Sequence, residues 1–263
     1  MIQLFGFDCP FVERTRLLLE LKGVEHTYTS LHDFERAPDW FLKLNPLGKV
    51  PVLVHDDEAL YESTIINEYV EERFDGPAAM PLDPLLKART RLLIRHCEQV
   101  FIAKLFGLLM NRDAEQADRV MSEAVESWRW VDDFLRRHSP VGDFAFGEFG
   151  MADLTYAPFF VRYAANRYYR HFELPEELDR AKRWCDACLA HPLVRRIALD
   201  EESAIKLYFT HSRGIGGGVR PAPGAFNSQD PSWPYAARPM PPKPPREYWD
   251  DAPQYPPPGA RPD

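Results

Sequence analysis

A cysteine near the start of the chain stands where sulfur chemistry is favoured. The stretch Gly6-Phe7-Asp8-Cys9-Pro10-Phe11 joins a short apolar run, Ile2 to Phe7, to a helical pattern that opens at Pro10. Proline suits the first turn of a helix, where its missing N–H is not needed. Leu17, Leu18 and Leu21 then fall on one face, with Glu13, Arg14, Arg16, Glu20 and Lys22 elsewhere. Cys9 thus reads as the residue at the N-terminus of the first helix. The unsatisfied N–H groups and the positive dipole end found there favour thiolate over thiol. Cysteines so placed become nucleophiles at neutral pH. A cysteine taken alone is as readily a small buried apolar residue; the strand-Cys-Pro-helix setting favours the reactive reading.

Two more places carry binding chemistry. Lys49-Val50-Pro51-Val52-Leu53-Val54 is an apolar strand interrupted by a proline, which cannot donate to a sheet ladder. The proline argues for an edge strand or a special geometry. A cis Val50-Pro51 bond is one such geometry. It leaves the Val50 N–H and C=O facing out at the sheet end, where an extended peptide can pair with them. The second place is Glu62-Ser63, which opens a helix with Ile65, Ile66, Tyr69 and Val70 inward. A serine and its backbone N–H at a helix start can hold a carboxylate. Glu62 beside it can accept from an ammonium. Together they suit the zwitterionic end of an α-amino acid, although a serine there is also a plain helix cap.

The elements that must position these residues follow from the pattern. Residues 1–75 read as β-α-β-α-β-β-α, with a strand over Val24 to Leu31, a short proline-opened helix at 37–42, and a hairpin turn at Asp56-Asp57. Residues 76–82 form a linker. Residues 83–212 are helical by period, with one long helix from Leu85 to Met110 and others over Ala114 to Arg137, from Gly150, over Leu174 to Ala190, and over Ala198 to Thr210. Asp153 lies three residues after Gly150 and can bond back to the cap backbone, so it is a folding residue. Residues 213–263 form a Pro/Gly-rich extension; more than half of the 25 prolines lie after Gly218. The run Gly214 to Gly218 lacks the Gly-Lys-Ser/Thr of a phosphate loop and reads as a turn. Trp233, Tyr235, Met240, Tyr248 and Trp249 punctuate the prolines, and a disordered tail would be poor in aromatics. Residues 219–249 are therefore expected to lie extended over the body.

Composition narrows the function classes. The 263 residues allow two modest domains, and 45 % hydrophobic content supports a real core. A formal net charge of -8 argues against a nucleic-acid partner. The sequence has no apolar run of the ~18 residues that a membrane span needs. It opens on a strand rather than a secretory signal. Four scattered cysteines do not make a disulfide scaffold, which fits a reducing cytoplasm. Cys185-Asp186-Ala187-Cys188 lies in a predicted helix without a second pair, and His96, His171, His191 and His211 have no ligand spacing, so no metal site is expected.

The Cys-Pro-Phe, Gly-Lys-Val-Pro-Val-Leu and Glu-Ser motifs, at this spacing, resemble the glutathione S-transferases, and the cysteine resembles their omega class. Glu20-Leu21-Lys22-Gly23, Leu207-Tyr208 with the following glycines, and Arg238-Pro239-Met240-Pro241-Pro242 resemble the glutathione lyases of bacterial lignin β-aryl ether catabolism. The resemblance implies a thioredoxin-like N-terminal domain, an all-helical C-terminal domain, a homodimer and a glutathione site. Cys9 would be the catalytic residue. Val50, in the Lys49-Val50-Pro51 turn, would pair with the cysteinyl backbone of glutathione, Glu62 and Ser63 would hold the γ-glutamyl end, and Phe11 would pack nearby. Ala37 stands where omega enzymes carry a lysine for the glycine carboxylate, which leaves Arg36 or Lys49 for that role. Tyr208, where the last helix should border the substrate site, is the candidate proton donor. The implied substrate is a small glutathionylated aromatic. The rival readings are a conjugating or ether-cleaving transferase and a non-enzymatic scaffold of the same fold.

Overall fold

The computed structural model describes residues 1–31, 37–214 and 232–245. The chain forms two compact units: Met1–Ile94 with Gly142–Pro158 and Trp184–Ala198, and Arg95–Val141 with Phe159–Arg183 and the chain from Leu199 onward.

The first unit is built on four strands, β1 (Ile2–Gly6), β2 (Thr27–Ser30), β3 (Val52–His55) and β4 (Glu58–Tyr61), in the order β2-β1-β3-β4. β1 and β2 are parallel, while β1–β3 and β3–β4 are antiparallel. The hairpin between β3 and β4 turns on Asp56 and Asp57, both at positive φ (48° and 72°), as a two-residue turn between twisted strands requires. The expected strand from Val24 is shorter, starting at Thr27. The strand expected over Lys49 to Val54 starts only after the proline. Pro51 therefore removes no ladder bond, and β3 is an interior strand rather than an edge.

Helices α1 (Pro10–Lys22), α2 (Asp39–Leu44) and α3 (Ser63–Arg73) complete this part of the unit. α1 is not the amphipathic helix its sequence suggests: Glu13, Arg14 and Lys22 are buried together with Val12, Leu17, Leu18 and Leu19. The buried charges are compensated by specific partners. Lys22 Nζ lies 3.1 Å from Glu71 on α3, and Glu71 in turn accepts from the Ala79 and Met80 N–H groups at 3.0 and 2.9 Å. One ion pair thus ties α1 and α3 to the 76–82 segment. A cluster of Phe5, Leu31, Phe41 and Val52 seats α2 against β1.

The remaining helices are α4 (Pro84–His96), α5 (Ile102–Met110), α6 (Ala117–His138), α7 (Met151–Arg170), α8 (Asp179–Ala190), α9 (Pro192–Ile197), α10 (Glu201–Leu207) and α11 (Phe209–Ser212). The long helix expected from Leu85 to Met110 is interrupted by a π-turn over Cys97–Phe101, a wide turn that shifts the helix face by an inserted residue. The core of the second unit includes Trp128 stacked on Phe160 at 5.2 Å, with Phe101 edge-on at 4.9 Å. Buried Arg170 donates to the Leu108, Leu109, Asn111 and Ser212 carbonyls and so closes the C-terminal ends of α5 and α11. Of the expected extended tail, residues 232–245 are described, and Trp233, Arg238, Pro241 and Pro244 are buried. Arg36, Ile215 to Gly218, Tyr248 and Trp249 lie outside the described residues.

Asp153 performs the folding role its spacing suggests. Its carboxylate accepts from the Gly150 and Ala145 N–H groups at 2.9 and 2.8 Å and from the Trp184 indole. Burial pushes its carboxyl up to about 6, while the N–H donors pull it back down. At neutral pH it remains a carboxylate serving three buried donors. Asp153→Ala strands all three, and each stranded donor costs about 1–3 kcal/mol. The expected loss in urea unfolding is therefore at least about 3 kcal/mol.

Candidate active site

The strand register decides which residues share one end of the sheet. Phe5 at the end of β1 pairs with Val52 at the start of β3, and Val52 pairs with Tyr61 at the end of β4. Cys9 follows the first of these, Val50-Pro51 precedes the second, and Glu62-Ser63 follows the third. Three motifs up to 54 positions apart in the chain therefore meet at one sheet edge.

Cys9 is the N-cap of α1, half-buried, with extended backbone (φ -130°, ψ 132°). Its carbonyl accepts from the Val12 and Glu13 N–H groups at 3.0 Å each, and its own N–H donates to the Phe7 carbonyl at 2.7 Å. The turn from β1 into α1 is tight. A Cβ on Gly6 would lie 2.5 and 2.7 Å from the two Val12 methyls, so only glycine lets α1 approach β1 this closely.

The Val50-Pro51 peptide is cis, as the interrupted strand suggests. Val50 is half-buried and outside the ladder; Lys49 is exposed beside it. Buried Asn45 holds this loop. Its amide donates to the Lys49 carbonyl at 2.8 Å, and its Oδ1 accepts from the Leu47 N–H at 3.0 Å. The Asn-Pro-Leu-Gly sequence signals such a side-chain turn, so Asn45 was within reach of the sequence as a positioning residue.

Glu62 is exposed and sits at φ 68°, ψ 109°, an unfavourable conformation for a residue with a side chain. Its carbonyl accepts from the Ile66 N–H at 2.9 Å, starting α3. Ser63 is buried, and its Oγ accepts from Arg14 Nη1 at 3.3 Å. The same guanidinium lies 5.1 Å from the centre of the Phe11 ring. The Arg14 carbonyl accepts from Asn67 of α3 at 3.3 Å. Arg14 thus links the helix that Cys9 caps to the helix that Ser63 opens. Nothing in its sequence context marks it, because a basic residue on a helix ordinarily faces water.

Tyr28 on β2 is a further neighbour of Cys9. Although the residue is 37 % exposed, partial desolvation pushes its phenol up to about 12, with Arg16 opposing and Asp8, Cys9 and Glu13 adding to the rise. Arg16 stacks on its ring at 4.7 Å. Tyr208 belongs to the second unit, between α10 and α11. It is buried, and its hydroxyl accepts from Arg162 Nε at 3.4 Å. The buried pair Cys185 and Cys188 lies in α8, and none of the four cysteines forms a disulfide. Among the described residues no cluster of three or more His, Cys, Asp or Glu could hold a metal ion, and no helix is long and apolar enough to cross a membrane.

Comparison with known proteins identifies the family of this fold. The glutathione S-transferase N-terminal domain family matches residues 8–73, and the glutathione S-transferase C-terminal domain family matches residues 114–187. Glutathione S-transferase L1 of Arabidopsis thaliana is 27 % identical over 60 % of this chain, and the match spans 64 % of that protein. Glutathione S-transferase omega-1 of Sus scrofa is 27 % identical over 73 % of this chain and 78 % of its own length. The crystal structure of glutathione transferase Omega 3C from Trametes versicolor superposes with a TM-score of 0.71 at 25 % identity, covering 81 % of this chain and 90 % of that one. The chain belongs to the glutathione S-transferase superfamily: a thioredoxin-like mixed sheet followed by a helical domain, with omega-class proteins among its relatives.

Two variants test how the site is built. Gly6→Ala overpacks the β1–α1 contact, which typically costs about 1–3 kcal/mol; adding Val12→Ala restores most of it, as thermal unfolding of both variants should show. Glu62→Gly relieves the strained φ and gains about 1 kcal/mol of stability. If the Glu62 carboxylate serves a bound ammonium, calorimetry on the same variant shows weaker glutathione binding, so stability and affinity move in opposite directions.

Proposed function

We propose that this protein removes glutathione from a glutathionylated aromatic substrate by thiol transfer through Cys9. The observation that carries this reading is a half-buried cysteine at the N-cap of α1, on the same sheet edge as a cis-proline turn and a Glu-Ser helix start. Membership of the superfamily supports glutathione as the bound tripeptide. Val50 would pair with its cysteinyl backbone, Glu62 and Ser63 would hold its γ-glutamyl end, Phe11 would pack beside it, and Lys49 would reach the glycine carboxylate.

Cysteine at this position does different work from tyrosine or serine. A hydroxyl stabilises the glutathione thiolate for attack on an electrophile. A thiolate is itself the nucleophile. In the proposed reaction Cys9 Sγ attacks the sulfur of an aryl α-glutathionyl ketone. The S–S bond forms as the C–S bond breaks, and the electron pair leaves on the α-carbon as an enolate. Protonation of the enolate gives the ketone, and Tyr208 is proposed as the donor. A second glutathione thiolate then attacks the Cys9–glutathione disulfide, releasing oxidised glutathione and regenerating Cys9. The net change is one glutathionyl ketone plus one glutathione to one ketone plus one oxidised glutathione. A homodimer, as the resemblance implies, and a reducing cytoplasm, as the four scattered cysteines suggest, belong to the same proposal.

The test is turnover of an aryl α-glutathionyl ketone with added glutathione, following ketone and oxidised glutathione together. Equal amounts of both are expected, with loss of at least about a hundredfold in Cys9→Ser, since an alcohol cannot replace the thiolate in disulfide exchange. Intact mass of the wild-type protein after substrate alone should show one bound glutathione. Activity retained in Cys9→Ser, or conjugation of glutathione to electrophiles in place of its removal, sinks the proposal in favour of a conjugating transferase.

A further inference from the structure

The described part of the C-terminal extension is built into the second unit through contacts that converge on one corner. Tyr235–Ala237 forms a single 3-10 turn against α10. The Tyr235 carbonyl accepts from Lys206 Nζ at 3.0 Å, and Lys206 is a buried cation on α10 that also pairs with Glu202. The Tyr235 ring packs on the cluster that contains Leu109, Ala165, Tyr169, Ile205 and Tyr208. Further along, the Tyr168 hydroxyl donates to the Pro241 carbonyl, and His171 Nε2 lies 2.8 Å from the Pro244 carbonyl. Lys243 sits over the Tyr168 ring at 5.6 Å.

The segment is also braced internally. Arg238 is buried, its guanidinium lies 4.7 Å from the Tyr235 ring centre and 5.7 Å from that of Trp233, and its Nε donates to the Trp233 carbonyl at 2.6 Å. A buried arginine is costly to desolvate unless it is held by such partners. Prolines at 239, 241 and 242 restrict the intervening backbone before it meets α7, which lowers the entropy lost on docking. The segment therefore bridges α10 and the end of α7, and Tyr208 lies at the corner so bridged. Tyr169 adds a direct tie beneath it, its hydroxyl donating to the Ile205 carbonyl at 2.7 Å.

We infer that residues 232–245 are a strap that holds the α10–α11 corner, and with it Tyr208, in one position. Its functional consequence, which rests on the reaction proposed above, falls on the step assigned to Tyr208, the protonation of the enolate.

Arg238→Ala in the full-length chain tests this. Amide hydrogen exchange of residues 203–212 should become at least about tenfold faster, reflecting local opening of that corner. The rate of ketone release should fall severalfold while the KM for glutathione and the rate of Cys9 alkylation stay unchanged. Tyr168→Phe, which removes only the hydroxyl on Pro241, carries the same measurements if Arg238→Ala does not fold. Unchanged exchange in both variants overturns the strap. Faster exchange with an unchanged rate of ketone release overturns its role in positioning Tyr208. If the wild type does not turn over the ketone at all, the proposed reaction fails on its own, and the exchange data alone decide for or against the strap.

Discussion

The spacing between α1 and the end of β1 is set by a missing side chain. Gly6 has no Cβ, and the space is filled by the methyls of Val12. Valine is stiff about χ1, so its methyls cannot swing aside to admit another atom. The chain therefore has only Phe7, Asp8 and Cys9 in which to leave the sheet and start a helix. That short turn places Cys9 at the helix cap and nowhere else. The other parts of the site are measured from the same frame. β3 is registered on β1 through Phe5 and Val52, and β4 on β3 through Val52 and Tyr61. Lengthening the first turn would shift Cys9 relative to the cis-proline turn and the start of α3, which the sheet would continue to hold.

Charge buried beneath this frame gives the site its polarity. Arg14 donates to Ser63 at the N-terminal end of α3. A cation near a helix N-terminus is on the unfavourable side of the dipole. Such a placement raises the positive potential at the end of the sheet, and the proposed chemistry puts two anions there: the Cys9 thiolate and the γ-glutamyl carboxylate. In a low-dielectric setting a fixed guanidinium acts on both without reorganising. Lys22 illustrates the opposite use of a buried cation. Its partner Glu71 faces it directly and also accepts from Ala79 and Met80, so its charge is consumed in joining segments.

Much of this was legible in the sequence because it rests on local rules. Pro10 announces the start of α1, Asp56-Asp57 the hairpin, Pro51 an unusual peptide, and the Gly150–Asp153 spacing a cap. What was not legible depends on tertiary neighbours. Arg14 and Lys22 read as solvent-facing because period alone cannot tell that α3 covers that face of α1. Of the two readings of Pro51, an edge strand or a special geometry, the sequence could not choose, because it does not show that the ladder starts one residue later. The π-turn at Cys97–Phe101 leaves helix propensity unchanged and so interrupts a pattern that looks continuous from Leu85 to Met110. In the tail Trp233 is buried, but Tyr168, His171 and Lys206, which meet the Pro241, Pro244 and Tyr235 carbonyls, are separated from them by at least 29 positions.

The fold is shared across the superfamily, so the choice between conjugation and thiol transfer falls on one atom. Serine is among the best N-cap residues because its oxygen accepts from the first-turn N–H groups. Sulfur is a weak acceptor. Stability of α1 alone would therefore favour serine at position 9, and a cysteine there gives up part of a cap. Cys9 makes no side-chain cap bond to the first turn, and N–H groups at a helix start favour a thiolate over a neutral thiol. In the proposed reaction, what is lost in capping is recovered when the sulfur carries charge as the nucleophile. That exchange has a use only if the sulfur forms and breaks bonds, since a residue that merely steadies a glutathione thiolate does so better as a hydroxyl donor. The proposed thiol transfer therefore rests on the cap position of Cys9, because superfamily membership is compatible with either chemistry.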